Sequence, residues 1–217
     1  MKVKVLVDNQ ALPGFREEWG FSCLVEGKEK VLFDAGASPR VLGFNAERLG
    51  VKPESFKKVV LSHDHWDHTG GLLWAMQNPK LDVFVLDSFS QRAKELIKSN
   101  AGLFEVGNSA VKIAPGIHST GKLGNSVDEQ SLVLETEKGI VVLVGCSHPG
   151  LEKILERAKK FGKIHAVIGG FHGFEKFEAL EGIEVVAATH CTQQKKKIKE
   201  LFPSNFKECA AGKSFEF

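Results

Sequence analysis

The stretch SHDHWDHTGG, residues 62–71, places three histidines and two aspartates within six positions. It directly follows the apolar run KKVVL, residues 57–61, which has the composition of a buried strand. Titratable side chains are costly to bury unless they are paired or bind a metal. Their density at the end of a strand therefore indicates a metal site.

The spacing within this stretch predicts two metal ions rather than one. His63 and His65 are two residues apart, and side chains at that spacing point the same way as a strand ends, so both reach one ion. Asp67 and His68 are adjacent and diverge from that pair, which directs them to a second ion. Imidazole and carboxylate ligands suit zinc, manganese or iron.

Length and composition limit the number of domains and the kinds of partner that we expect. The 217 residues predict one domain covering residues 1–217, and 26% charged residues with a net charge of +2 give no case for a nucleic-acid or membrane partner. The beginning, MKVKVLVDNQ, alternates with lysine and lacks the features of a signal peptide, so we expect a cytoplasmic protein. The sequence leaves the oligomeric state open, and a homodimer is compatible with it.

Segment order predicts an α/β fold in which two mixed β-sheets pack face to face between helical layers. Short β-rich runs are followed by strand–helix alternation, and this order occurs twice. The runs VVLVG, residues 141–145, and AVIGG, residues 166–170, are apolar throughout, as strands buried on both faces require. Ser38 is expected to cap one helix, and Asp87 or Ser88 another.

The segment HDHWDH, residues 63–68, resembles the HxHxDH signature of the metallo-β-lactamase superfamily. That resemblance implies an αββα sandwich with a two-metal site at the sheet edges. FDAG, residues 33–36, resembles the first motif of the superfamily, with Asp34 as the buried carboxylate that supports the metal loop. VLVDN, GCSHPG, IGGFHGF and ATHCT are similar to the branch that includes dihydropterin–ribofuranosylaminobenzene phosphate synthases.

The resemblance also implies the remaining ligands. His148 follows the apolar run GIVVLV and is assigned to the first ion beside His63 and His65. PGIHSTG, residues 115–121, resembles the usual third motif with one extra residue, so His118 is the alternative ligand. His190, in ATHCT, matches the final histidine of the superfamily and completes the second ion with Asp67 and His68.

Three further residues near these motifs carry open interpretations. Cys146 stands where most superfamily hydrolases have an aspartate that bridges both metals, and it is either a thiolate ligand or a packed side chain. Cys191 is expected to face away from the site and to be structural. His172 is interpreted as a substrate contact or as the acid that protonates a leaving group, with a plain loop histidine as the alternative.

These residues predict a metal-dependent hydrolase of a phosphorylated or other anionic small molecule. Two divalent ions, zinc first with manganese or iron as alternatives, would activate water, and Asp67 would orient it. One alternative is a transferase that displaces pyrophosphate, as in the synthase branch. Another is a metal-binding or redox protein without hydrolytic turnover, against which His65 argues because redox members have glutamate there. RNA cleavage ranks last because a basic arm is missing.

Overall fold

Residues 1–124 and 126–217 are described in the computed structural model, and within them thirteen strands and six α-helices are present. In chain order the strands are β1 Lys2–Val7, β2 Ser22–Glu26, β3 Lys30–Phe33, β4 Lys58–Val60, β5 Asp82–Leu86, β6 Gly102–Val106, β7 Val111–Ala114, β8 Ile117–Ser119, β9 Leu132–Thr136, β10 Gly139–Val144, β11 Ile164–Gly170, β12 Val185–Thr189 and β13 Ser214–Glu216. The helices are α1 Pro39–Arg48, α2 Trp66–Thr69, α3 Leu72–Ala75, α4 Gln91–Asn100, α5 Leu151–Ala158 and α6 Lys195–Leu201.

The strands form two mixed sheets, which confirms the predicted fold class. The first sheet has the order β13-β1-β2-β3-β4-β5-β6, and the second has the order β12-β11-β10-β9-β8-β7. In the first sheet β3 to β6 are parallel, and in the second β10 to β12 are parallel; the remaining neighbours are antiparallel. Each half of the chain thus contributes an antiparallel meander and a set of parallel strands.

Side chains of the second sheet alternate between two buried layers. One buried cluster contains residues of both sheets, among them Val25 and Leu143, and therefore lies between the sheets. Val142 and Val144, which flank Leu143 on the same strand, belong instead to the cluster formed with α5 and α6. Burial on both faces explains why β10 is apolar at every position after its first glycine.

Helix starts follow the predicted capping chemistry at one helix and depart from it at another. The Ser38 hydroxyl accepts a hydrogen bond from the backbone of Val41, which confirms Ser38 as the cap of α1. The cap of α4 is Ser90, so the prediction of Asp87 or Ser88 was wrong. The Asp87 carboxylate pairs with the Lys122 ammonium at 2.6 Å, which commits it to a different partner.

Most of the chemistry-bearing residues follow directly after strands. Asp34 follows β3, and His63 comes three residues after the end of β4; the loops after β1, β10, β11 and β12 carry the others. Parallel strands of one sheet place their carboxyl ends at one edge, so these loops meet at one end of the sandwich. None of the described helices combines the length and apolar composition of a membrane span.

Two glycines close the histidine-rich stretch against the loop after β3. A side chain at Gly70 would collide with the carbonyl oxygen of Ala37, and one at Gly71 would collide with that of Ala35. Only glycine allows this approach between the two backbones. The approach brings α2, which carries Asp67 and His68, against the loop that contains Asp34.

Candidate metal centre

Asp34 fixes the two histidines at the base of the site. Its carboxylate oxygen Oδ2 lies 2.7 Å from His68 Nδ1, and the same oxygen accepts a hydrogen bond from the Ser62 hydroxyl at 2.8 Å. Ser62 Oγ in turn lies 2.8 Å from His63 Nδ1. Since each Nδ1 is paired with an oxygen, the Nε2 lone pairs of His63 and His68 are directed away from Asp34, as metal-binding histidines require.

We call Asp67, His68 and His190 the second cluster. His190 Nδ1 lies 3.0 Å from Asn9 Oδ1, so its Nε2 is the free nitrogen, and this atom lies 3.2 Å from His68 Nε2. Asp67 Oδ2 is 3.4 Å from His190 Nε2 and accepts a 2.9 Å hydrogen bond from the Trp19 indole. These contacts bring together all three residues that the sequence directs to a second ion.

We call His63, His65 and His148 the first cluster. His63 Nε2 and His65 Nδ1 are 3.0 Å apart, and the His148 ring centroid lies 4.8 Å and 5.0 Å from those of the other two. His148 Nε2 is buried and has no hydrogen-bond partner among the described residues. A buried nitrogen without a protein partner is costly unless it binds a ligand.

A buried glutamate holds the loop that carries His148. The Glu129 carboxylate accepts backbone hydrogen bonds from all four residues of the segment 145–148, at 2.9–3.1 Å. Burial raises the pKa of this carboxyl, and the backbone amides of residues 146–148 and the charge of His68 oppose that effect. Glu129 therefore shapes the loop through its backbone rather than by contacting the histidine rings.

Cys146 belongs to the same loop and points into the site. Its Sγ lies 3.2 Å from His68 Nε2, and the residue is 3% exposed. Sγ can join two possible ligand groups, one with His63 and His148 and the other with His68 and His190, and within each group the three ligand atoms lie within 4.8 Å of one another. The neighbouring Cys191 thiol and burial raise the pKa of Cys146. Cys191 Sγ lies 3.9 Å from the Cys146 carbonyl oxygen, so it is beside the site.

Backbone strain is concentrated in this region. Four non-glycine residues of the described chain have a positive φ, and each lies one to three residues after a strand: Asp34 at 55°, Ser147 at 65°, His172 at 39° and His190 at 49°. Such conformations cost free energy and persist where the surroundings enforce them, often at functional sites.

The donor set fits divalent metal ions. Two nitrogens bound to tetrahedral zinc at 2.0–2.1 Å are separated by roughly 3.3 Å. The pair His63 Nε2–His65 Nδ1, at 3.0 Å, and the pair His68 Nε2–His190 Nε2, at 3.2 Å, are close to this separation. Each pair can also form an N–H···N hydrogen bond in one tautomer, so the separations are compatible with two adjacent cation positions and do not require them.

The pKa is lowered for two of the clustered histidines and raised for a third. Burial and the neighbouring imidazoles lower the pKa of His63 well below its usual value, and burial with the charge of His65 lowers that of His148 to about 4. Burial also opposes protonation of His68, but the Asp34 carboxylate outweighs it and raises the pKa. Burial raises the pKa of Asp67, yet the hydrogen bond with His190 and the charge of His68 lower it to about 2.

His118, the alternative ligand, lies elsewhere. It is on β8, its Nε2 pairs with a Glu135 oxygen at 3.1 Å, and its ring packs against Phe161. His172 is exposed, with its ring centroid 5.0 Å from that of His148. The structure thus places His148 beside the other two histidines of the first cluster, His172 next to it, and His118 against other partners.

Two depressions adjoin the first cluster. One, of about 420 Å³, is lined by His148, His172, Phe171, Phe174 and Lys176, among others. The other, of about 350 Å³, includes His65 and residues of the loop 126–128. Both are large enough for part of a small-molecule substrate.

Some positioning residues were not identified in the sequence. Trp19 and Glu129 lie in no motif that we recognised, and Glu129 follows Asp128 in the polar segment before β9. Asn9 lies in VLVDN, a segment that we had matched to the synthase branch without assigning it a role. Ser62 opens the histidine-rich stretch, where its hydroxyl connects Asp34 to His63.

An αββα sandwich with histidines, aspartates and a cysteine collected at the strand ends defines a class of metal-dependent enzymes. A family model described as the metallo-beta-lactamase superfamily matches residues 20–121. An uncharacterized protein of Methanocaldococcus jannaschii is 31% identical, with 78% of this chain and 78% of the relative covered. The chain belongs to the metallo-β-lactamase superfamily, and it is an enzyme, either a hydrolase or a related transferase.

Two further relatives cover nearly the whole chain. The 7,8-dihydropterin-6-methyl-4-(beta-D-ribofuranosyl)-aminobenzene-5'-phosphate synthase of Methanocaldococcus jannaschii is 27% identical, with 94% of this chain and 91% of the synthase covered. The crystal structure of Tm1679, described as a metal-dependent hydrolase of the beta-lactamase superfamily, is 27% identical and superposes with a TM-score of 0.83, covering 100% of this chain and 99% of that one. Members of this superfamily typically bind divalent metals.

Proposed function

We propose that the chain is a hydrolase in which two divalent metal ions activate water for attack on a phosphorylated or other anionic small molecule. The first cluster would hold one ion and the second cluster the other. The observation that carries this proposal is the convergence of ring nitrogens on two adjacent positions, with His148 Nε2 buried and without a partner among the described residues. Zinc suits these nitrogen-rich donor sets, and manganese and iron are the alternatives.

When bound, divalent ions supply Lewis-acid chemistry: they make water acidic enough to act as a nucleophile near neutral pH, and they polarise a carbonyl or phosphoryl oxygen. The chain supplies the geometry. Asp34 keeps Nδ1 of His68 protonated, so Nε2 remains the donor atom. Asp67 Oδ2, held by the Trp19 indole, is an acceptor that can orient the attacking water. His172, beside His148, is placed to protonate a leaving group.

The depression beside His148 and His172 is our candidate substrate site. Phe171 and Phe174 give it an apolar wall, while Lys176 and Glu152 form a 2.8 Å ion pair there. A substrate anion could take over Lys176 from Glu152 at little cost, because exposed ion pairs are weak. This supports an anionic small molecule with an apolar part.

The hydrolase proposal is tested with a panel of phosphate mono- and diesters, carboxylic esters and lactones, using protein reconstituted with zinc, manganese or iron. We expect turnover of at least one ester, abolished by a chelator and restored by metal. His172→Gln should lower kcat more than it changes KM, because an acid acts in the transition state. Metal content of one ion per chain or less after reconstitution would overturn the two-metal mechanism.

A transferase is the second candidate, and the near-complete coverage of the synthase relative favours it. In such a reaction an aromatic carbon of the ribofuranosylaminobenzene phosphate would displace pyrophosphate from a dihydropterin pyrophosphate. Incubation with both compounds separates the two candidates. Pyrophosphate release that requires both substrates supports the transferase, whereas phosphate release from one ester alone supports the hydrolase.

A further inference from the structure

Cys146 is the group that the two possible ligand sets share within the described residues. One set combines its thiol with His63 and His148, and the other combines it with His68 and His190. Each of these histidines belongs to one set only. Superfamily hydrolases commonly carry a bridging aspartate at this point of the chain. In this chain two nearby carboxylates, those of Glu129 and Asp67, have other contacts.

Neither nearby carboxylate can take over a bridging role without rearrangement. The carboxylate oxygens of Glu129 accept hydrogen bonds from the four backbone amides of the segment 145–148. Asp67 Oδ2 lies near His68 and His190, which places it on the side of the second cluster. The Cys146 thiol, which would lose its proton on binding a metal, is therefore the ligand whose position reaches both groups.

The position of the sulfur is enforced rather than incidental. Cys146 donates its backbone hydrogen to Glu129 Oε1 at 3.0 Å, and the residue is 3% exposed. Its Sγ lies 3.2 Å from His68 Nε2, whose other ring nitrogen is occupied by Asp34. Sulfur and nitrogen bound to the same tetrahedral zinc would be roughly 3.5 Å apart, close to this distance.

We propose that Cys146 binds both metal ions as a shared thiolate, in place of the usual bridging carboxylate. This rests on the proposed two-metal site and specifies its central ligand. A shared thiolate selects borderline-soft ions, so zinc and iron(II) should be retained in preference to manganese, which prefers oxygen ligands. The metal preference of this chain then follows from one residue.

Cadmium-113 NMR tests the sharing without depending on activity. The chelated wild-type protein is loaded with two equivalents of cadmium-113, and bound metal is counted by mass spectrometry. We expect two resonances, both shifted strongly downfield because each ion has a sulfur ligand. Two resonances of which only one is shifted would make Cys146 a terminal ligand, and two unshifted resonances would make it a packed side chain; either result overturns the proposal.

Variants of the two neighbouring cysteines provide matched controls. Cys146→Ser should move or abolish both resonances and weaken binding of both ions by at least about tenfold. Cys191→Ser removes the adjacent thiol and should leave both resonances in place. Cys146→Asp should retain two ions with both resonances shifted upfield, because a carboxylate can bridge but offers oxygen. Should Cys146→Ser fail to fold, the wild-type spectrum still decides.

Failure of the two-metal site is recognised separately. A wild-type chain that binds a single cadmium ion would refute the two-metal proposal by its stoichiometry, and sharing would fall with it. A chain that binds two ions with only one sulfur-shifted resonance would leave the two-metal proposal standing and refute only the shared thiolate. Competition between zinc and manganese gives the second readout: Cys146→Asp should reduce the preference for zinc.

Discussion

The two clusters are built by different means. In the second cluster, side chains fix side chains: Asp34 holds His68, Asn9 holds His190, and the Trp19 indole holds the carboxylate of the cluster. The imidazoles of His68 and His190 are fully buried. Each donor atom of this cluster is therefore oriented before any ion arrives.

In the first cluster the support is less direct. His148 is positioned through its backbone by Glu129, and its Nε2 has no hydrogen-bond partner among residues 1–124 and 126–217. His65 is half-buried at the start of α2, and both depressions that we describe open beside this cluster. His63 is held through Ser62 rather than by a carboxylate directly.

Preorganisation of the ligands and access from the surface are thus divided between the two clusters. Ligands whose orientation is already fixed lose less freedom when they bind, so the second cluster should bind its ion more tightly. The first cluster is nearer to the open surface, which suits exchange of water and substrate.

The largest effect is expected for Asp34→Ala, because Asp34 supports both sides at once. The change leaves the buried donors of Ser62 and His68 unpaired, which should lower the free energy of unfolding by about 3 kcal/mol or more. Both ions should be lost, as measured by metal content after dialysis. Asp64→Asn is the control, since the exposed Asp64 contacts the backbone of Ser90. Retention of two ions by Asp34→Ala would show that the histidines do not need this support.

The next largest effect, that of His148→Ala on metal content, distinguishes the first cluster from the second. His148→Ala should remove the ion of the first cluster and leave that of the second, so metal content falls from two to one per chain. His118→Ala, with partners Glu135 and Phe161, should keep both ions. Metal analysis of the two variants checks this. The opposite ranking would mean that PGIHSTG carries the ligand and that His148 does not.

A smaller effect is expected for Glu129→Gln, because the metal ligands remain. The amide presents hydrogens to the backbone amides of the segment 145–148, so the free energy of unfolding should fall by about 2 kcal/mol. Affinity for the first ion should weaken roughly 10–100-fold, while that for the second changes less. Glu135→Gln, on β9, is the control. Equal loss at both ions would argue that the loop and the second cluster are not independent.

The sequence was sufficient for the parts of the site that lie in one short stretch. The spacing of His63, His65, Asp67 and His68 predicted a division between two positions, and the structure groups these residues in that way. The apolar runs predicted the sandwich because burial on both faces of a strand leaves a continuous pattern. His148 was chosen over His118 from its place after a buried strand, and it does lie beside His63 and His65.

The remaining parts depend on contacts between distant segments. Trp19 meets Asp67 across 48 positions of the chain, and Asn9 meets His190 across 181. Neither contact has a local pattern, because the fold alone brings the partners together. Cys191 was expected to face away by strand alternation, but β12 ends at Thr189, so the alternation no longer applies at residue 191. The thiol instead lies beside Cys146.

The smallest expected effect is on the pH dependence of stability in chelated protein, and it contrasts the two clusters again. An unfolded histidine titrates near 6.5. The pKa of His148 is lowered to about 4, so between pH 6.5 and 4 the unfolded chain binds a proton that the folded chain excludes, and stability falls as the solution is acidified. The pKa of His68 is raised, so above pH 6.5 the folded chain holds the extra proton, and stability is lost as the pH rises through its folded value.

Opposite slopes on the two sides of pH 6.5 therefore give a maximum of stability near that pH. The contribution of His148 should be on the order of 1 kcal/mol, after allowance for solvent screening of this half-buried side chain. Urea unfolding between pH 4.5 and 8 measures it, and each slope can be altered separately. His148→Gln should reduce the acid-side slope to the part that His63 contributes, and His68→Gln should flatten the alkaline side. A variant that flattened both sides at once would show that the two clusters titrate as a single network, which would remove the division of labour inferred from their hydrogen bonds.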